Sequence, residues 1–214
     1  MYVLFCLQGG PSNELPPLSW ASRLKIAEGA ARGLTHIHEC SPKKYVHGNI
    51  KSSKILLDED FNPFISGFGL NRLVCGASKS ATTSRRPSLT HSVFSGSMLF
   101  SPPSAAYLAP EVRSGGAKLT QKCDVYSFGM VLMELLTGRV PEDDGKGLDS
   151  QVRKIFREER PLSEIIDPAL LHEVYAKKQV LATFHIALNC TELDPELRPR
   201  MRSVTESLDR LKFQ

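Results

Sequence analysis

The chain has 214 residues, of which 41% are hydrophobic and 23% charged, and its formal net charge is +4 at pH 7. This composition is typical of one globular domain with a packed core and excludes a wholly disordered chain. The positive charge is modest and spread along the chain, so it does not predict binding to nucleic acid or to an anionic membrane.

The amino-terminal segment and the cysteines indicate the cellular compartment of the protein. Residues 1–7 are apolar but too short to span a membrane, and they lack a basic leader and a cleavage pattern. The five cysteines are widely separated and form neither a C-x-x-C pair nor a metal-ligand cluster. The sequence therefore predicts a cytoplasmic protein with reduced thiols, no membrane span and no metal site.

The first predicted element is a helix that follows a turn-rich segment at residues 9–17. Ser19 is a suitable N-cap, and apolar residues then recur with three- and four-residue spacing. This spacing predicts one buried helical face about five turns long. The face comprises Trp20, Leu24, Ala27, Ala31, Leu34 and His38.

Short segments of a different kind follow this helix. Residues 45–49, 55–57 and 62–66 are bounded by polar or turn residues, which predicts short strands or ordered loop. From residue 75 to 106 the composition changes to Ser, Thr, Pro and Gly with little apolar periodicity. We expect a flexible surface loop there.

Helices dominate the rest of the chain. Asp124 is a candidate N-cap for a helix that is almost entirely apolar until Gly138, so this helix should run through the core. Apolar residues at helical spacing then predict further helices at 148–156, 180–190 and 201–211. The predicted fold class is mainly α, with a few short strands.

The order of several motifs resembles that of protein kinases, and within them the plant leucine-rich-repeat receptor-like kinases. The motifs are LSWASRLKIAEGAARGL at 18–34, YVHGNIKSSKILLD at 45–58, ISGFGL at 65–70, YLAPE at 107–111, DVYSFG at 124–129, LLTG at 135–138 and Arg198-Pro199. The resemblance implies a kinase-like carboxy-terminal lobe at residues 18–214, in which 67–111 correspond to the activation segment.

The resemblance also implies that a β-rich amino-terminal lobe is missing. In this family that lobe carries a glycine-rich loop, a lysine and a glutamate that form the roof of the nucleotide site. Residues 1–17 contain none of these motifs, so we expect them to be a residual amino-terminal segment.

Three positions depart from the chemistry that the resemblance implies. Asn49 stands at the position of the catalytic base, and an amide cannot take a proton from a substrate hydroxyl. Lys54 replaces a metal-binding asparagine; an ammonium group about 4 Å from a divalent cation, at an effective dielectric of about 20, would be repelled by roughly 8 kcal/mol. Gly67 replaces the aspartate that binds magnesium. No functional catalytic or metal-binding residue is expected.

Other positions match the family motifs. Lys51 corresponds to the lysine that contacts the transferred phosphate, and with Lys54 it is a candidate for metal-free phosphate binding, the alternative being solvated surface charge. Structural roles are implied for four residues: His47 under the D-F-G segment, Asp124 at the catalytic loop, and Glu111 and Arg198 as a buried ion pair.

The predicted loop contains one candidate modification site. Arg85, Arg86 and Pro87 precede Ser88, an arrangement that resembles the target of a basic-directed kinase. The alternative is an ordinary Ser-rich linker.

The leading hypothesis is a catalytically impaired, kinase-like domain that acts as a protein-interaction or regulatory module in receptor-kinase signalling. It predicts no cofactor, and it predicts protein partners: an active receptor-like kinase or a separately supplied amino-terminal lobe. The alternative is an ATP- and Mg-dependent Ser/Thr kinase with atypical catalytic residues. A third possibility is an incomplete gene product whose full form has receptor, transmembrane and small-lobe parts.

Overall fold

The computed structural model describes residues 17–40, 42–69, 105–114, 118–142, 147–173 and 176–212. Within these ranges the protein is mainly α-helical, which confirms the predicted fold class. The helices and strands are α1 (Trp20–Glu39), β1 (Ile55–Leu57), β2 (Pro63–Ile65), α2 (Pro110–Arg113), α3 (Gln121–Thr137), α4 (Leu148–Arg157), α5 (Lys177–Cys190) and α6 (Met201–Leu211). Short 3-10 turns lie at Ser52–Lys54, Ala105–Tyr107, Leu162–Glu164, Pro168–Leu170 and Pro195–Leu197.

Helix α1 begins where the sequence predicted. The Ser19 hydroxyl accepts a hydrogen bond from the Ser22 backbone N–H at 3.3 Å, which satisfies one of the free donors of the first turn. All six residues of the predicted apolar face are buried. This face packs against α6, and the outer part of α1 contacts β2.

Helix α3 is the centre of the core. Every residue from Cys123 to Thr137 is buried, and the helix ends at Gly138 with a left-handed backbone (φ 66°). It packs closely on α5, because a Cβ added to Gly129 would lie only 2.7 Å from the Cβ of Cys190. The predicted central, fully buried helix is confirmed.

The predicted start of α3 is wrong. The helix begins at Gln121 with Thr120 as its N-cap, one turn before Asp124. The Asp124 carboxylate does not cap the helix, because it accepts hydrogen bonds from the loop at residues 47–48. The Asp124 side chain, which the local sequence pattern predicted to cap the helix, is thus used in a tertiary contact instead.

The two strands form an antiparallel hairpin, and its second strand, β2, contacts α1. Leu56 pairs with Phe64, and Ile55 with Ile65. Pro63 lies directly against Gly29 of α1, where no larger side chain would fit without a shift. Residues 55–57 form the predicted strand, the predicted segment 62–66 is reduced to Pro63–Ile65, and residues 45–49 adopt no regular structure.

The remaining helices match the predicted segments closely. Helices α4 and α5 begin or end within three residues of the predicted limits, and α6 has the predicted limits. In the described part of the chain, no helix is both long and apolar enough to cross a membrane.

Candidate functional site

The loop at residues 45–49 is held in place by one buried carboxylate. Asp124, which is 1% exposed, accepts hydrogen bonds from the backbone N–H of His47 (2.7 Å) and of Gly48 (2.8 Å). Its Oδ2 atom also lies 2.9 Å from Nε2 of His38. The backbone of Gly48 is left-handed (φ 74°), a conformation that favours glycine. Helix α3 therefore sets the position of the loop that would carry catalysis.

His47 links this loop to the segment that follows β2. Its Nδ1 atom accepts from the backbone N–H of Asn49 (3.2 Å), so the proton lies on Nε2, which donates to the carbonyl of Ser66 (3.1 Å). Burial lowers the pKa of His47, although the charge of Asp124 opposes this effect. A neutral, doubly hydrogen-bonded ring is suited to fixing the two segments relative to each other.

Asn49, which the sequence predicts at the position of the base, follows Gly48 on this loop. Its side chain is half-buried, and its backbone N–H is committed to His47. A carboxamide can orient a hydroxyl group but cannot remove its proton. This position can therefore bind a polar group without supplying general-base catalysis.

Lys54 and Gly67, the two positions at which the sequence predicts lost metal ligands, lie next to each other. A Cβ added to Gly67 would be 3.5 Å from Cδ and 3.7 Å from Nζ of Lys54. The lysine stem thus covers the glycine, and the ammonium group occupies the space next to it. Across the described ranges, no group of three or more His, Cys, Asp or Glu side chains could hold a metal ion. The residues at this position do not fit magnesium.

Lys51 lies on the same loop, one 3-10 turn before β1. It is 8% exposed, and its carbonyl accepts from the backbone N–H of Lys54 at 2.8 Å. Burial, and then the nearby charge of Lys54, lower the pKa of Lys51. The structure therefore brings together the two lysines that the sequence had paired as phosphate candidates.

Glu111, on α2, and Arg198 form a bidentate ion pair. The two N–H···O distances are 2.7 and 2.8 Å, and the guanidinium lies 5.0 Å from the ring centroid of Tyr126. Burial acts to raise the pKa of Glu111, but the hydrogen bonds and charge of Arg198 outweigh it, and the pKa lies below its ordinary value. This pair connects α2 to the loop before α6.

Sequence reasoning missed a buried polar network beside this loop. Glu134, on α3, accepts a hydrogen bond from the Tyr107 hydroxyl at 2.6 Å, and the same hydroxyl lies 3.2 Å from Oγ of Ser52. Burial raises the pKa of Glu134 to about 7. The available signal was that Glu134 is the only charged residue of α3 after Asp124, since a buried carboxyl group requires partners.

A second missed group is Arg23 on α1. It is 2% exposed, its guanidinium pairs with Asp167 at 2.6 Å, and it donates to the carbonyl oxygens of Leu18 and Leu135. These contacts tie the start of α1 to the end of α3. The only signal in the sequence was that Arg23 lies between positions of the helix that are predicted to be buried.

Two predicted features lie largely outside the described residues. Ser88 and its basic neighbours belong to residues 70–104, so the modification site remains a prediction. The predicted loop at 75–106 also falls mostly there, and its last two residues begin the 3-10 turn Ala105–Tyr107.

Comparison with known proteins identifies relatives over most of the chain. The family profile described as protein tyrosine and serine/threonine kinase matches residues 12–208. A probable inactive leucine-rich repeat receptor-like protein kinase of Arabidopsis thaliana is 38% identical over 206 residues, which are 96% of this chain and 29% of the relative.

Two more relatives from the same plant show the range of the similarity. A leucine-rich repeat receptor-like protein kinase named as probably inactive is 36% identical over 197 residues, 90% of this chain and 18% of the relative. A receptor-like serine/threonine-protein kinase is 40% identical over 203 residues, 92% of this chain and 52% of the relative. The chain therefore belongs to the protein tyrosine and serine/threonine kinase family, and it is similar to plant leucine-rich repeat receptor-like kinases, including some named as inactive.

Proposed function

We propose that this chain is a catalytically impaired kinase-like domain that serves as a protein-interaction or regulatory module in receptor-kinase signalling. The observation that carries the proposal is the contact between Lys54 and Gly67, because it brings an ammonium group beside a glycine at the two positions predicted to have lost metal ligands. Asn49 removes the general base from the same loop. Without metal binding and proton removal, the lysine at Lys51 is the one component of the catalytic loop that would remain for phosphoryl transfer.

The intact scaffold supports a role in binding. Asp124, His47 and the Glu111–Arg198 pair hold the loop and α2 in fixed positions. Surfaces that are held in fixed positions can present side chains to a binding partner without catalysing a reaction. The proposed partner is another protein, either an active receptor-like kinase or a separately supplied amino-terminal lobe. The proposed location is the cytoplasm, where the kinase domains of such receptors lie.

A phosphoryl-transfer assay tests the proposed loss of catalysis. The chain is incubated with radiolabelled ATP and a generic protein substrate, with Mg²⁺ or Mn²⁺, beside the matched variant Lys51→Ala. We expect transfer by the two proteins to be equal and at background. Transfer by the wild-type chain that Lys51→Ala abolishes would overturn the proposal and support the atypical kinase.

Two exposed aromatic side chains provide a test of the interaction role. Phe64, on β2, is 57% exposed, and Phe68 is 38% exposed. The ring centroid of Phe68 lies 6.2 Å from that of His47, on the loop that carries Asn49. We expect the double change to serine at these positions to weaken binding to a recombinant receptor-like kinase domain. The matched control is the double change Leu193→Ser and Leu197→Ser, because these side chains are 65% and 68% exposed at another surface. Equal binding by both double variants would argue against this surface.

A further inference from the structure

The carboxyl group of Glu134, on the central helix α3, has one oxygen atom that lacks a hydrogen bond. The residue is 1% exposed, and its Oε2 atom accepts from the Tyr107 hydroxyl at 2.6 Å. Its Oε1 atom is buried and has no hydrogen-bond partner among the described residues. Because buried polar atoms are nearly always hydrogen-bonded, this oxygen bears on the protonation state of the carboxyl group.

This geometry favours the neutral form of Glu134. An ionised carboxylate has room for about four hydrogen bonds, and the structure shows one donor. Burial of a charge with so few partners costs far more free energy than burial of a neutral carboxyl group, which can still accept from Tyr107. In agreement with this, burial raises the pKa of Glu134 to about 7, although the hydroxyl groups of Tyr107 and Ser52 act to lower it.

Charged side chains on the elements around α3 do not offset this burial. Within the described ranges, Tyr107 and Ser52 are the only side chains that affect the pKa of Glu134. The buried side chains of α5 carry no charge. Four ionisable side chains on the other neighbouring elements have partners of their own: Arg23 with Asp167, His38 with Asp124, Asp149 with Tyr126, and Arg198 with Glu111.

The Glu134 carboxyl group connects three segments of the chain. Tyr107 ends the 3-10 turn Ala105–Tyr107, and its hydroxyl also lies 3.2 Å from Oγ of Ser52, in the turn before β1. The carbonyl of Tyr107 accepts from Oγ of Ser127 on α3 at 2.8 Å. Water can solvate an ionised Glu134 only if one of these packed segments moves away from α3, because the carboxyl group is otherwise enclosed.

We propose that the proton of Glu134 controls a local opening of the turn Ala105–Tyr107: the neutral carboxyl group holds the turn on α3, and loss of the proton to solvent releases it. The opening is confined to the turn, because the following helix α2 is held separately by the Glu111–Arg198 pair. The turn lies in the region that corresponds to the activation segment, so this segment responds to pH. The proposal does not depend on the proposed loss of catalysis.

The test is hydrogen exchange of the full chain between about pH 5 and pH 8, with each rate divided by the intrinsic rate at the same pH. The reporter is the backbone N–H of Leu108, which donates to the Ala105 carbonyl at 3.1 Å. The closed turn binds the proton more tightly than the open one, whose carboxyl group has its ordinary pKa of 4.5. We therefore expect the protection of Leu108 to fall at least about tenfold from pH 5 to 7 and to level off above that.

Two variants and two controls make this test specific. Glu134→Gln has no proton to lose, so the protection of Leu108 should be independent of pH. Tyr107→Phe removes the hydroxyl that joins the turn to α3, so protection should be lower at every pH. The control variant is Glu39→Gln, whose carboxyl group is exposed, and it should keep the wild-type profile. The internal control is the N–H of Val112 on α2, which donates to the Ala109 carbonyl at 2.9 Å and should keep its protection.

Infrared spectroscopy follows the proton directly. At about pH 6 the wild-type chain should show a carbonyl band of a protonated carboxylic acid that is absent from Glu134→Gln, and this band should disappear as the pH rises through about 7. The wild-type chain and Tyr107→Phe keep the test decisive even where the glutamine variant does not fold.

Specific results would overturn the proposal. A pH-independent protection of Leu108 in the wild-type chain would do so, as would parallel profiles for the wild type and Glu134→Gln. Unchanged protection in Tyr107→Phe would show that the hydroxyl does not hold the turn. An equal loss of protection at Val112 would contradict a local opening. Phosphoryl transfer by the chain would contradict the proposed function alone, so the two failures are distinguishable.

Discussion

Replacement of Glu111 by glutamine should destabilise the fold more than the same change at an exposed pair with similar geometry. Arg198 has a side chain that is 0% exposed, and Glu111 satisfies two of its N–H groups. Glutamine has nearly the same shape but no charge, so the variant leaves a buried guanidinium without its counter-ion. Breaking one partner of a buried pair typically costs about 3–5 kcal/mol.

The structure places the expected cost below that range. The guanidinium keeps three carbonyl acceptors, on Lys122, Glu192 and Leu193, and the Glu111 side chain is itself 21% exposed. We therefore expect Glu111→Gln to lower the free energy of unfolding by about 2–3 kcal/mol. For a domain of this size, that loss corresponds to a decrease of about 4–12 °C in Tm.

The assay is urea unfolding followed by circular dichroism, with Glu39→Gln as the matched control. Glu39 and Arg202 form an equally bidentate pair, with distances of 2.9 and 2.7 Å, but their side chains are 43% and 66% exposed. Water screens such a pair, so the control should unfold at nearly the same urea concentration as the wild type. Equal destabilisation by the two variants would refute the argument that burial determines the contribution of the Glu111–Arg198 pair.

Three other variants test the buried groups around the loop and the core. Asp124→Asn should lower the free energy of unfolding by about 2–3 kcal/mol, because an amide group cannot accept all the hydrogen bonds that the carboxylate accepts. Amide hydrogen exchange at residues 47–48 should also become faster. Gly129→Ala should lower the free energy of unfolding in urea by about 1–3 kcal/mol, because the new Cβ would lie 2.7 Å from Cβ of Cys190. An unchanged unfolding midpoint would show that α3 and α5 can move apart. The third variant is Glu134→Gln. Burial raises the pKa of Glu134 from 4.5 to about 7, so the folded chain binds a proton more tightly than the unfolded one. This contribution is complete below about pH 4.5 and is lost as the pH rises through about 7, so the wild type should lose about 3 kcal/mol relative to Glu134→Gln over that range. Parallel pH profiles for the two proteins would contradict this pKa.

Much of the fold was predictable because its helices are marked by local patterns. The apolar spacing from Trp20 to His38 and from Met201 to Leu211 follows the period of a helix and was sufficient to locate α1 and α6. The start of α3 was not predictable in this way. Asp124 has the side chain of an N-cap, and only the tertiary fold shows that its carboxylate is used by another loop.

The candidate site was predictable in its members but not in its contacts. The motif order was enough to select Asn49, Lys51, Lys54 and Gly67, because each occupies a position with a known role in the family. The packing of Lys54 over Gly67 depends on the distance between two loops that are 13 positions apart in the chain, and residue types alone do not determine such a distance. The Tyr107–Glu134 hydrogen bond likewise joins segments that only the fold brings together.

Most of the positions that match the family motifs are buried, whereas the replaced positions are partly exposed. Asn49, Lys54 and Gly67 are all partly exposed, whereas Asp124 and Arg198 are each 1% exposed. Changes at exposed positions cost little stability, so the scaffold is expected to stay folded with these three replacements.

Lys51 also matches the family motif and is buried. It is 8% exposed, and both its burial and the charge of Lys54 disfavour its ionised form.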